Sequence, residues 1–196
     1  MNKPKNWENV KAATERQQLP KGGYVCKIMN TKVVECGKTN GKNGLFEMLE
    51  IALDILEGEY KDFYSNDYRQ NPDVDKRWKG AYRLFVPRDD GSEKDEWTKS
   101  KLKAATDAVE ESNPGYHWDW NEASLKGKTV GAVFRSEEYD FNGHQGFATR
   151  CFKLVPADNI RTGKFKVPED KLLEKKVTVN PADFTEIPVS DSDLPF

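Results

Sequence analysis

The alternation of apolar and polar positions divides the chain into strands, one long helix and polar ends. Leu49, Ile51, Leu53 and Ile55 alternate with Glu50, Ala52 and Asp54, the period of two expected of a strand with one buried face. Ahead of them, Tyr24 to Met29 and on to Val34 is rich in β-formers and predicts a first strand. The glycine-rich stretch Gly37 to Gly44 between the two reads as a flexible loop holding Lys38 and Lys42. Glu57-Gly58-Glu59 reads as a tight turn, and Tyr60-Lys61-Asp62-Phe63-Tyr64 as a third strand paired with the second. Ser65 to Lys79 is irregular, and Ala81 to Val86 fits either a strand or the opening of a helix.

From Ser92 to Ser112 the period becomes helical. Ser92 is a candidate N-cap, and Asp95 and Glu96 in the first turn suit the positive end of the helix dipole. Trp97, Leu102, Ala105 and Val109 fall on one stripe, and Asn113-Pro114-Gly115 stops the helix. Two further strands, Thr129 to Tyr139 and Phe147 to Val155, flank Asp140 to Gly146, whose Asn142-Gly143 pair is a strong hairpin signal. Ala157 to Arg161 reads as one helical turn.

Three strands, a helix and two strands give a mainly β protein, a β-barrel with a helix. That is the element order of the OB-fold, a five-stranded Greek-key barrel with a helix between the third and fourth strands, although other small barrels share the order. The groove of such a barrel would lie between the Lys38–Gly44 and Asp140–Gly146 loops. The expected organisation is an N-terminal arm over 1–20, the barrel over 21–168, and a polar tail with Pro181 and Pro188 over 169–196.

Composition narrows the classes. Of 196 residues, 36% are hydrophobic and 33% charged, which fits a compact core with exposed polar segments. No stretch approaches the roughly 18 apolar residues of a membrane span, and the polar start Met1 to Trp7 predicts no secretory leader. Cys26, Cys36 and Cys151 are odd in number and without paired spacing, so reduced thiols in a cytoplasm are expected. Neither His117 nor His144 has a Cys or second His nearby, so no zinc site is expected. From Val177 onward there are four carboxylates and no Lys or Arg, a charge of −4. The other 31 basic and 29 acidic side chains leave the body at +2, so affinity for a polyanion would need a local patch.

The stretch Tyr64 to Arg83 offers such a patch. It interleaves the rings of Tyr64, Tyr68, Trp78 and Tyr82 with the cations of Arg69, Arg77, Lys79 and Arg83. Single-stranded nucleic acid needs both, cations for phosphates and rings for bases. Arg150 and Lys153 on the last hairpin join Lys38 and Lys42 as further candidates, while the facing of Arg135, Arg150 and Lys153 alike stays open. Trp118 and Trp120 would share one side of an extended segment, as a stacking platform or as a plug closing one end of a barrel. Asp54 with Glu59-Tyr60-Lys61 echoes the acid…Glu-x-Lys pattern of metal-dependent nucleases, but at short spacing and across a turn. No Gly-rich phosphate loop, Ser/His/Asp set or Rossmann fingerprint is present, so no catalytic residue and no cofactor is assigned.

The last six residues, Asp191-Ser192-Asp193-Leu194-Pro195-Phe196, pair an apolar anchor with negative charge, which suits a small basic pocket on another protein. Asp191, Asp193, Leu194, Pro195 and Phe196 resemble the acidic tip of bacterial and phage single-stranded-DNA-binding proteins, with Ser192 as a departure. The chain also resembles a family of small phage proteins encoded among replication and recombination genes. That likeness runs through Leu19-Pro20-Lys21-Gly22-Gly23-Tyr24-Val25-Cys26, Glu57 to Lys61, Ala108 to Tyr116 and Leu125 to Lys128. The family is held to act as single-stranded-DNA-binding proteins. The resemblance therefore implies single-stranded DNA as one partner, and replication or recombination proteins (helicase, polymerase or recombinase), met through the tip, as the other. A homo-oligomer stays open, as do a replisome adaptor that binds no DNA and the nuclease reading.

Overall fold

The computed structural model describes residues 2–9, 17–39 and 42–173. It is mainly β: a five-stranded antiparallel open sheet of strand order β3-β2-β1-β4-β5, with a few helices. β1 (Gly22–Thr39) and β2 (Lys42–Ile55) form one long hairpin. Leu49, Ile51, Leu53 and Ile55 are all buried, as their alternation predicts. The expected loop over Gly37 to Gly44 is instead largely strand. Gly37 sits at φ 88, where the register shifts between Cys36 and Lys38. A left-handed glycine at a register shift marks a β-bulge, so the glycine signal was real but marked an irregular strand.

The third strand also differs from expectation. Tyr60 to Asp62 form a turn after Gly58 (φ 89), and α1 (Phe63–Gln70) replaces the strand predicted there. The cause is Asp54, 2% exposed at the end of β2. Its carboxylate accepts from the backbone N–H of Tyr64 (2.9 Å) and Ser65 (3.2 Å), and from the Ser65 hydroxyl. A buried carboxylate on the free N–H groups of a first turn caps a helix from outside its own sequence. β3 (Ala81–Phe85) then pairs with β2, Leu84 opposite Leu49 and Tyr82 opposite Ile51. Gly80 admits this return, since a Cβ there would lie 2.4 Å from the Tyr64 ring and 2.5 Å from the Leu53 carbonyl oxygen.

α2 (Glu93–Ser112) is capped by the Ser92 side chain, which accepts from Asp95 N–H at 3.1 Å. Its buried stripe runs through Thr98, Leu102, Ala105 and Val109. Trp97, expected on that stripe, is one position off it and 56% exposed. At the far end the Asn113 amide donates to Val109 and Thr129 carbonyls and accepts from Thr129 N–H, fastening the helix to β4 (Thr129–Phe141). Asn142 (φ 51) and Gly143 (φ 78) make the tight turn into β5 (His144–Val155), followed by α3 (Ala157–Arg161).

β1 pairs with β4 from Gly22 to Lys27, which joins the two hairpins around a core centred on Ile28, Leu53, Val130 and Phe134. Leu19 is also buried in that core. β3 and β5 are the two edges of the sheet; they approach each other without a ladder of paired residues among the described residues. α2 packs against β3, β4 and β5. Beyond Phe134, where β1 pairing ends, Lys171 takes up the β4 backbone through Ser136 O and Glu138 N–H. No helix among the described residues is long and apolar enough to cross a membrane.

Candidate nucleic-acid interface

β3 pairing sorts the Tyr64 to Arg83 cluster into two groups. Tyr64 is 5% exposed and packs on Phe134 and Phe63, so it has no free face for a base and the expected stacking role is withdrawn. Tyr82 shares the face of Leu84 and packs against the core; its burial pushes the phenol well above its ordinary value. Trp78 is half-buried, donating its ring N–H to Leu53 O at 2.9 Å, and stands beside Tyr68 with ring centres 5.8 Å apart. Lys76 sits 4.7 Å over the other ring of that pair, Tyr68. Arg69, Arg77, Lys79 and Arg83 are exposed. Lys79 pairs with Asp67, Arg69 contacts Asn66 at 3.4 Å, and Arg77 has no ion pair among the described residues.

Arg83 faces away from the core, level with Glu50 and Lys32 across the three strands. Glu50 accepts from Arg83 at 2.8 Å and Lys32 at 3.3 Å. Partial burial works against its charge, but these two cations win and hold its carboxyl below the ordinary value. Arg83 keeps 56% of its side chain exposed and reaches the gap between β3 and β5.

That gap is a trough made of two depressions which share Ala81, Arg83 and Arg150. The first, about 510 Å³, runs between Trp78 and Lys79 on one side and Tyr139 and Phe147 of the β4–β5 hairpin on the other. The second, about 590 Å³, runs between α2 and β5 and is lined by Arg83, Lys101, Arg135, Arg150, Lys153 and Lys171. Glu137 is the single carboxylate lining this second part among the described residues. It takes Arg135 at 2.8 Å and Arg150 at 3.7 Å, while Lys153 and Lys171 have no ion pair among the described residues. Positive charge thus outweighs negative along this seam among the described residues, beside exposed rings. A polyanion carrying flat apolar groups satisfies both features.

Of the sequence candidates, Trp78, Lys79, Arg83, Arg150 and Lys153 line this trough, with Tyr82 in its floor. Tyr68 lies on a neighbouring shallow surface with Trp78 and Lys32. Lys38 and Lys42 stand in the β1–β2 hairpin, opposite Asn43 and Thr39. The tip residues Asp191, Asp193, Leu194, Pro195 and Phe196 lie outside the described residues. Sequence reasoning missed Trp97, Lys101, Phe152 and Lys171. The Trp97–Lys101 spacing of four on a helix was the available signal. The position of Phe152 beside Arg135 depends on a register shift at Val133 and Phe134, for which no sequence sign exists.

Other candidates resolve differently. Both Asp54 oxygens accept hydrogen bonds, from Ile55, Tyr64 and Ser65, which gives that carboxylate a structural role at the start of α1. Trp118 packs against the core, whereas Trp120 is 76% exposed at φ 63. The left-handed backbone at Trp120 breaks the expected shared facing, although the rings remain 6.2 Å apart. These observations define a mainly β protein with a cationic, ring-lined seam between its sheet edges. Neither comparison with models of known protein families nor a search of curated proteins gives a match.

Proposed function

We propose that this chain is an OB-fold protein that binds and protects single-stranded DNA during phage DNA replication or recombination, and recruits replication proteins through its C-terminal tip. The strand order β3-β2-β1-β4-β5, with α2 between the third and fourth strands, supports the OB-fold, whose members include partly open five-stranded barrels. The observation that carries the function is that Arg83 and Arg150 line the same depression, with Trp78 and Phe147 alongside. Cations there track phosphates, and exposed ring surface accepts bases without reading their identity. A strand of about 4–16 nucleotides is the expected site for one such domain.

Gel shift on oligo-dT and on duplex of the same length tests the reading. Tighter, salt-sensitive binding to the single strand supports it; affinity equal to duplex, or indifferent to salt, refutes it. For the tip, removing Leu194-Pro195-Phe196 leaves DNA affinity unchanged or raised while abolishing pull-down of a helicase or polymerase partner. Recruitment that survives the truncation refutes that part alone.

A further inference from the structure

We infer that the DNA strand does not stop at Arg83 and Arg150 but continues along the seam to α2, where Trp97 and Phe152 stack two further bases. This rests on the single-stranded-DNA reading above and extends it to a surface off the strand 2–3 face that oligonucleotide-binding barrels use. Three observations carry it. Trp97 is 56% exposed and Phe152 38%, on opposite walls of the same depression. Each ring has a cation on one face: Lys101 Nζ lies 5.3 Å from the Trp97 ring centre, and the Arg135 guanidinium 4.5 Å from that of Phe152. A cation on one face leaves the other for a base and stands within reach of the adjoining phosphate. The charge of the walls is also one-sided, six cations against Glu137 among the described residues.

An acidic polypeptide would match the charge but leave the two rings without a function. A nucleic-acid strand uses both. The α2 wall is also mechanically suited to the task, since buried Thr98, Leu102 and Ala105 anchor the helix in the body. Trp97 itself contributes nothing to the buried stripe, so its truncation leaves the core intact.

The test compares Trp97→Ala and Phe152→Leu with the wild-type full chain on three probes: oligo-dT of about 16 nucleotides, oligo-dT of about 6 nucleotides, and an abasic strand of the longer length. Thermal melting of each variant is measured alongside. Each variant is expected to lose about tenfold in affinity for the long oligo-dT, and little for the short one or the abasic strand. Lys101→Ala is expected to weaken binding to the long oligo-dT and the abasic strand alike. Wild-type binding that Trp97→Ala leaves unchanged on the long oligo-dT would overturn the inference and spare the function. Equal loss on dT and on the abasic strand would also overturn it, as would displacement of the long oligo-dT by polyglutamate at equal charge concentration. Failure of the wild-type chain to bind any probe would overturn the function and the inference together.

Discussion

Replacing Asp54 by Asn keeps the size of the side chain and removes its charge, which isolates what the carboxylate does at the start of α1. Asp54 is 2% exposed and accepts four hydrogen bonds, from Ile55 N–H, Tyr64 N–H, Ser65 N–H and the Ser65 hydroxyl. Asn retains one acceptor oxygen, placed to serve Ile55 and Tyr64 on Oδ1. The amide NH₂ then faces Ser65, where a donor meets a backbone donor and only the hydroxyl can turn to accept. Hydrogen bonds to a charged group contribute about 1.5–3 kcal/mol each, and a buried donor left alone costs about 1–3 kcal/mol. A net loss of about 2–4 kcal/mol is expected, a large share of the roughly 5–15 kcal/mol that holds a domain together. Urea unfolding followed by tryptophan fluorescence measures it, with the midpoint lowered and the m-value unchanged. Ser65→Ala combined with Asp54→Asn should cost less than the sum of the two, because both act on one contact. A loss below about 0.5 kcal/mol would refute the claim that Asp54 holds α1.

Gly80→Ala should destabilise by about 1–3 kcal/mol, because the new methyl meets the Tyr64 ring at 2.4 Å and the Leu53 carbonyl at 2.5 Å; an unchanged melting temperature contradicts this. Burial opposes the charge of Glu50 but Arg83 and Lys32 hold its folded-state carboxyl below the ordinary value, so the stability it contributes is present above that ordinary value and is lost as pH falls through the lower folded one. Arg83→Ala should therefore raise the Glu50 titration midpoint and narrow acid tolerance. A midpoint by NMR that does not move would show that Arg83 is not what holds the charge.

Strand existence was legible where one face is buried along its whole length. Leu49, Ile51, Leu53 and Ile55 announce β2, and Asn142-Gly143 announces the last hairpin. Ser92 and Asn113 likewise bracket α2 through side-chain bonds that their types suggest. The error at Tyr60 to Tyr64 has a different origin. Aromatic, β-prone residues were turned into a helix by a carboxylate ten positions earlier, Asp54 to Tyr64, and local propensity cannot see such a partner. The sorting of rings into core and trough was hidden for a related reason. Whether Tyr82 or Arg83 faces inward depends on β3 pairing Leu84 with Leu49, a long-range register. Trp97 shows the limit of the helical stripe: Thr98, a less apolar residue, occupies the buried position, and the indole faces the seam.

The central claim, that the seam between β3 and β5 holds single-stranded DNA, is tested most directly by the salt dependence of binding. Oligo-dT affinity is measured by fluorescence anisotropy across a salt series for the wild-type chain and for the Arg83→Ala/Arg150→Ala pair. Each phosphate contact on a single strand contributes about 0.7 to the slope of log affinity against log salt, so losing two contacts should flatten it by about 1.4. A flattened slope with weaker binding is the predicted result. Parallel slopes and equal affinities would contradict it and move the DNA off this seam.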